Sequence, residues 1–259
     1  MNRRGRERRA RPRPEPVECR TELALAEIVA DQFRPSTRTL LLDGREAGQV
    51  DLNDPRRLTF AYMRRIADLI DAFRPPGAGI DALHLGGGAF ALPRYLAATR
   101  PASVSEVFEL DGGVVRLARE HLKLRTSPRL RVKVGDAADL LPAKPDRSAD
   151  LVIGDAFDGP HVPARLSTPQ FAAHVQRVLR PAGVYALNVI DVPPLDEARA
   201  HATLLRDAFA HVLWVAPPGV LRARAPGNVV LLASDAALPE AALRRAATAA
   251  VPRELVQAA

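Results

Sequence analysis

The run Ala82-Leu83-His84-Leu85-Gly86-Gly87-Gly88-Ala89-Phe90 limits the architecture of this chain more than any other stretch. A short apolar segment that breaks into three glycines and resumes with helical spacing is a strand-to-helix turn, with bare backbone N–H groups and a helix N-terminus brought up to a ligand. The next apolar run ends at Glu109, 21 positions after Gly88. That is the spacing at which a carboxylate after the second strand of a βαβ unit takes two ribose hydroxyls. Together these features predict an α/β sheet that binds a nucleoside at its carboxyl edge.

The rest of the chain from Ile80 keeps the same rhythm. Short apolar runs at Ala82 to Leu85, Val104 to Leu110, Leu130 to Val134, Leu151 to Gly154, Val184 to Val189, His211 to Val215 and Asn228 to Ala233 predict seven strands. Helical spacing near Ala91 to Ala98, Gly113 to Leu122, Thr168 to Leu179 and Leu195 to Ala210 supplies the covers that a mostly parallel sheet requires. The last two strands are separated by Ala216 to Gly227, rich in Pro, Gly and Arg and without helical period, so a hairpin and an antiparallel last strand are expected. Upstream, extended segments at Glu22 to Val29, Thr37 to Leu42 and Ala47 to Leu52 are divided by Pro35-Ser36 and Asp43-Gly44, the pattern of a small antiparallel unit. Asp54-Pro55 then predicts a helix start, and the apolar spacing from Leu58 to Phe73 sustains it until Pro75-Pro76-Gly77.

The expected organisation is an arginine-rich disordered tail over residues 1–16, the small β unit over 17–53 and a nucleoside-binding domain over 54–259. With 259 residues, 47% of them hydrophobic, the chain can bury a full core. The formal net charge of +7 suggests a nucleic-acid partner, but residues 1–14 hold seven arginines and one glutamate, so the basicity is largely the tail's. That tail has no apolar run to bury, and the expectation is at most weak polyanion contact by counterion release. It also lacks the apolar core of a secretory signal, and no segment approaches the roughly 20 apolar residues of a membrane span. A cytoplasmic location without membrane contact is the expectation. Cys19 is the one cysteine, and the six histidines are scattered without metal-ligand spacing, so no metal is expected.

Three further motifs end strands: Phe108-Glu109-Leu110-Asp111, Val134-Gly135-Asp136-Ala137, and Gly154-Asp155-Ala156-Phe157-Asp158-Gly159-Pro160. Each sets a carboxylate at the edge where open α/β sheets bind ligands. A nicotinamide or flavin enzyme needs the glycines and Glu109 but has no use for acids after the third and fourth strands. A sulfonium-bearing adenosine does need them. Asp136 and Asp155 can equally serve as turn or helix-capping residues.

These motifs, with Leu40-Leu41-Leu42-Asp43-Gly44 and Leu179-Arg180-Pro181-Ala182-Gly183, resemble the spermidine synthase (polyamine aminopropyltransferase) family over roughly Glu22 to Asp235. The resemblance implies a class I methyltransferase-like fold, a Rossmann-like seven-stranded sheet preceded by the antiparallel β unit. It implies decarboxylated S-adenosylmethionine as co-substrate, a small-molecule amine as acceptor and, by analogy, a homodimer. Glu109, with Leu110 beside it, would take the ribose hydroxyls, Asp136 with Ala137 the adenine edge, and the backbone of Gly86, Gly87 and Gly88 the rest of the nucleoside. Asp155 would orient and deprotonate the attacking amine, with Asp158 close to it.

Departures from the family pattern keep other readings open. The family's glycine loop continues with Asp-Gly where this chain has Ala89-Phe90. Its N-terminal unit has a Gln and then a Tyr-His pair, where this chain has Ala47 and Asp54-Pro55-Arg56-Arg57-Leu58-Thr59-Phe60. Its Asp-Ser-x-Asp-Pro motif stands here as Asp155-Ala156-Phe157-Asp158-Gly159. Methyl transfer from S-adenosylmethionine itself, with Arg94 as the cation for its carboxylate, is one alternative; a non-catalytic nucleoside-binding module is another. Tyr62 and the arginines around it read as packing and as a solvated helical face.

Overall fold

Alternation along the N-terminal segments sets up a first sheet, and continuous apolar runs set up a second. The computed structural model describes residues 15–249 and 255–258; the expected arginine-rich tail falls almost wholly outside them. Strands β1 (Val17–Arg20), β2 (Leu25–Ala30), β3 (Thr37–Leu42) and β4 (Arg45–Asp51) form an antiparallel sheet in the order 1-2-3-4. In β2 every second residue is buried, so one face packs and the other meets solvent. The unit therefore has one strand more than the sequence signals indicated, β1 being short and mostly exposed.

The predicted helix at Pro55 begins later. Helix α1 spans Ala61–Phe73, because the preceding residues are held in turns: the Asp51 carboxylate accepts the N–H groups of Asn53 and Asp54 at 2.9 and 3.3 Å, and Asp54 accepts that of Arg56 at 3.1 Å. Short acidic side chains compete here with the helical backbone for its donors. Then follow β5 (Asp81–Leu85), α2 (Ala91–Thr99), β6 (Val104–Glu109), α3 (Gly112–His121), β7 (Leu130–Val134), α4 (Ala137–Leu140), β8 (Ala149–Gly154), α5 (Pro169–Val178), β9 (Leu179–Asp191), α6 (Asp196–Ala208), β10 (His211–Ala216), α7 (Pro218–Leu221), β11 (Gly227–Ser234), α8 (Glu240–Ala249) and β12 (Leu255–Ala258).

The second sheet has eight strands, not seven, in the order β12-β10-β11-β9-β8-β5-β6-β7. Pairs among β7, β6, β5, β8 and β9 are parallel, while β11 runs antiparallel between β9 and β10. The eighth strand, β12, pairs antiparallel with β10 beyond a C-terminal helix that the sequence pattern did not reveal. It covers the outer side of β10 and leaves Trp214 one strand in from the edge. Strand β9 is also longer than its apolar run, starting at Leu179 with a bulge over residues 180–183. Central β8 is buried along its whole length, as a strand covered on both faces must be.

Two apolar layers sandwich this sheet. One includes Ile66, Leu69 and Ile70 of α1 with Leu96, Val107, Ile153, Ala186 and Val230; the other includes Phe171 and Val175 of α5 with Leu205, Val152, Leu187 and Leu231. Alternation along β9 thus sends Ala186 towards α1 and Leu187 towards α5, which decides which way Asn188 and Ile190 point further along the strand. Among the described residues no helix is long and apolar enough to cross a membrane.

Candidate active site

The glycine turn after β5 is built so that backbone meets backbone. Gly86 has φ +100 and Gly88 φ +48, values that favour glycine. A methyl group at Gly86 would overlap the Asp155 carbonyl, and one at Gly88 the Ala47 carbonyl of β4. At Gly87 it would stand 2.7 Å from the Phe90 ring. The turn is therefore wedged between the end of β8, the N-terminal sheet and the start of α2.

Its N–H groups are not bare, contrary to expectation. The Glu109 carboxylate accepts those of Gly87 and Gly88 at 2.8 and 3.3 Å and, through its other oxygen, that of Asp111 at 3.0 Å. Burial pushes the Glu109 carboxyl up, and these backbone donors oppose the shift. Leu110, beside it, is 56% exposed and offers apolar surface at the rim. Asp111 turns away to cap α3, accepting from Gly113 N–H at 2.8 Å and from the Thr21 hydroxyl, while Glu22 accepts from the same Gly113 N–H at 2.7 Å. The β1–β2 corner thereby fixes the loop that carries Glu109 and Leu110.

Asp136 also has both carboxylate oxygens engaged. One oxygen caps α4, accepting from Ala138 N–H at 2.7 Å, and the other takes the Arg165 guanidinium. The capping reading of Asp136 thus holds in this structure, next to the buried Ala137. Arg165 is exposed and is shared with Asp139.

Asp155 has a different environment. Its Oδ2 accepts from the Tyr62 hydroxyl at 2.9 Å and its Oδ1 from the Asn188 amide at 2.9 Å. Asn188 in turn accepts from the Asn228 amide at 3.0 Å. Among the described residues no cation compensates the carboxylate, and burial pushes its pKa up to about 6, with the two hydrogen bonds holding it back. The Tyr62 hydroxyl remains a donor, its pKa raised by burial and by Asp155. Asp158, three residues on, is exposed in a tight turn closed by two backbone hydrogen bonds with His161. The Glu109 side chain and the Asp155 main chain thus flank the glycine turn, the Asp155 carboxylate turns to Tyr62 and Asn188, and Asp136 faces α4 and Arg165.

Two more positions bear on chemistry. Ala89 is 2% exposed, sealed by Gly48 of β4, whose added methyl would lie 2.7 Å from the Ala89 nitrogen. Arg94 spends its guanidinium on the Leu122 carbonyl at 2.6 Å, at the end of α3.

Comparison with known proteins bears on the fold and on the sequence as a whole. No family model matches the chain. A solved structure of a probable spermidine synthase from Corynebacterium glutamicum superposes with a TM-score of 0.87 at 29% identity, covering 95% of this chain and 91% of that one. The chain is a relative of the spermidine synthase family. The polyamine aminopropyltransferase of Vibrio vulnificus is 29% identical over 157 residues, which are 59% of this chain and 51% of that protein. The chain spans about half the length of the curated relatives it matches. The human methyltransferase-like protein 13 shares the fold, with a TM-score of 0.60 at 21% identity over 73% of this chain and 92% of that one. The fold is class I methyltransferase-like, with an additional N-terminal sheet.

In this spermidine synthase relative, three polar residues escaped the sequence reading. Tyr62 read as packed because it sits on the apolar stripe of α1, yet its hydroxyl reaches Asp155. Asn188 carried a usable signal: an amide inside the apolar run Val184 to Val189 needs a buried partner. Asn228 follows Gly227 at a strand start and gave no signal of its own.

Proposed function

We propose that the chain transfers an aminopropyl group from decarboxylated S-adenosylmethionine to an amine, with Asp155 taking the amine's proton. What carries this reading is the Asp155 carboxylate, half-buried, uncompensated by any cation among the described residues and held by two neutral donors. The nucleophile must be a neutral amine. Its lone pair forms the new C–N bond as the C–S bond breaks, the bonding pair leaves with sulfur as a neutral thioether, and one N–H proton goes to the carboxylate. A base with a pKa near 6 is deprotonated at neutral pH yet accepts a proton more readily than an ordinary aspartate. Proximity supplies the rest.

In this reading Glu109 takes the ribose hydroxyls, Leu110 backs the base, and Asp136 with Ala137 meets the adenine edge. Gly86, Gly87 and Gly88 contact the remaining nucleoside, and Asp158 stands at the amine's approach. The engagement of Arg94 with Leu122 supports the decarboxylated donor, because no arginine of α2 then faces the turn to receive a carboxylate.

The deciding experiment is incubation of the protein with decarboxylated S-adenosylmethionine and a panel of amines, following release of methylthioadenosine; absence of that product with every amine overturns the reading. Glu109→Gln should weaken methylthioadenosine binding by about 10- to 100-fold, the worth of hydrogen bonds to a charged group, as measured by calorimetry. Tyr62→Phe removes a donor that lowers the Asp155 pKa. Its pH–rate profile should keep its shape with the acidic-limb midpoint moved upward, and turnover at pH 6.5 should fall by about 10-fold, within the range for an impaired general base. An unmoved midpoint would separate Tyr62 from the proton transfer.

A further inference from the structure

The two amides beside Asp155 form a chain whose direction is fixed by chemistry. An ionised carboxylate only accepts, so the Asn188 group that meets Asp155 must be its NH2, and the other end of that amide is then a carbonyl in need of a donor. Asn188 is 1% exposed. A carbonyl left unpaired at that depth is destabilising, and Asn228 meets the need by donating from Nδ2 to Asn188 Oδ1 at 3.0 Å. The donors therefore run one way, from Asn228 to Asn188 to Asp155.

The strand register makes the chain possible. Asn188 of β9 lies opposite Val230 of β11, and Asn228, two residues before Val230, is on the same face as its diagonal neighbour, within reach of a longer side chain. Ala186 and Val230 belong to the apolar layer that includes α1, so both amides are on the side from which Tyr62 approaches. Other ionisable groups on these elements, among the described residues, are absent or engaged elsewhere. Strand β11 carries none. On β9, Asp191 alternates to the other face and accepts from the Val192 and Ala198 N–H groups. On α1, Arg64 donates to the Leu58 and Thr59 carbonyls, Arg65 pairs with Asp68, and Asp71 pairs with Arg100. Glu109 holds the glycine turn. The carboxylate is thus set by two neutral donors, and one of them is an amide that can turn end for end.

Resting on the transfer reading above for its link to turnover, we propose that Asn228 is a positioning residue that locks the Asn188 amide with its NH2 towards Asp155 and so holds the base as an acceptor. Without the Asn228 donor, Asn188 is free to turn its carbonyl to Asp155, an arrangement that pairs only with the protonated acid. Asn228 acts on the base through Asn188.

The test is a double-mutant cycle read on the Asp155 carboxyl itself, by carbon-13 NMR titration of the ligand-free protein, with the signal assigned by its loss in Asp155→Asn. Asn228→Leu, close to asparagine in shape but without a donor, should raise the midpoint by about 0.5–1 pH unit, the worth of roughly one neutral hydrogen bond. In an Asn188→Leu background the same substitution should move it by less than about 0.2 unit, because the link through which it acts is gone. Asn228→Ala, a smaller change at this half-buried strand start, repeats the cycle if the leucine variant does not fold. No shift in the single variant, or equal shifts in the two backgrounds, overturns the proposal. The acidic limb of the pH–rate profile should move with the NMR midpoint, while kcat at about pH 8 stays within about twofold of the parent; a limb that stays in place while the NMR midpoint moves overturns the role in turnover. An NMR shift in a protein that releases no methylthioadenosine with any amine would uphold the amide chain and overturn the transfer reading.

Discussion

Asp155→Asn should lower turnover by about 10²- to 10⁴-fold, the span associated with loss of a general base, while methylthioadenosine affinity stays within about twofold because Glu109 and the glycine turn hold the nucleoside independently. Parallel losses in kcat and in nucleoside binding would reassign Asp155 to a structural role. The same substitution carries a stability signature. Folding raises the Asp155 pKa from 3.8 to about 6, so the folded state holds this proton more tightly than the unfolded chain does. The resulting stabilisation is full below pH 3.8 and is lost as pH rises through about 6. The asparagine variant has no charge to bury. Its stability relative to the parent should therefore be greater at pH 7.5 than at pH 4.5, by about 2 kcal/mol from the linkage relation. Urea titrations at the two pH values measure it, and a constant difference would contradict the desolvation of this half-buried carboxylate.

Gly86→Ala should be among the most destabilising single changes in the chain. At φ +100 an alanine is strained by about 1–3 kcal/mol. Its methyl would also press on the Asp155 carbonyl, which as backbone can give way only by moving β8; overpacking of that kind costs a further 1–3 kcal/mol or so. Together they amount to roughly 2–6 kcal/mol, and a Tm lowered by about 5–20 °C for a protein of this size. Gly44→Ala is the control: φ is +75 there too, but nothing lies within 4 Å of the added methyl, so only the strain remains. Similar melting temperatures for the two variants would mean that the turn after β5 relaxes freely away from β8.

Much of this architecture could be read from residue order alone, because periodicity reports which faces a segment must bury. The parallel strands announced themselves as short apolar runs. What stayed hidden is of two kinds. Helix α8 is rich in alanine and arginine and β12 is only four residues long, so neither bears enough apolar pattern to stand out. At the proposed site, the places of Glu109 and Asp155 at strand ends were legible in the residue order. The partnership of Tyr62 with Asp155 spans 93 positions, and the occupation of the glycine N–H groups by Glu109 depends on side-chain reach; neither distance is encoded in spacing. The delayed start of α1 has a third cause, since Asp51 and Asp54 satisfy local donors before a helix can claim them.

The contact between Gly48 and Ala89, and between Gly88 and Ala47, has a bearing on how far the glycine turn can give. With main chain laid directly on main chain, there is no cushion of side chains to slide or swing, and that wall behaves as a fixed jamb. That side of the glycine turn therefore cannot yield by a change of rotamer, and any substitution at Gly48 or Gly88 must displace main chain.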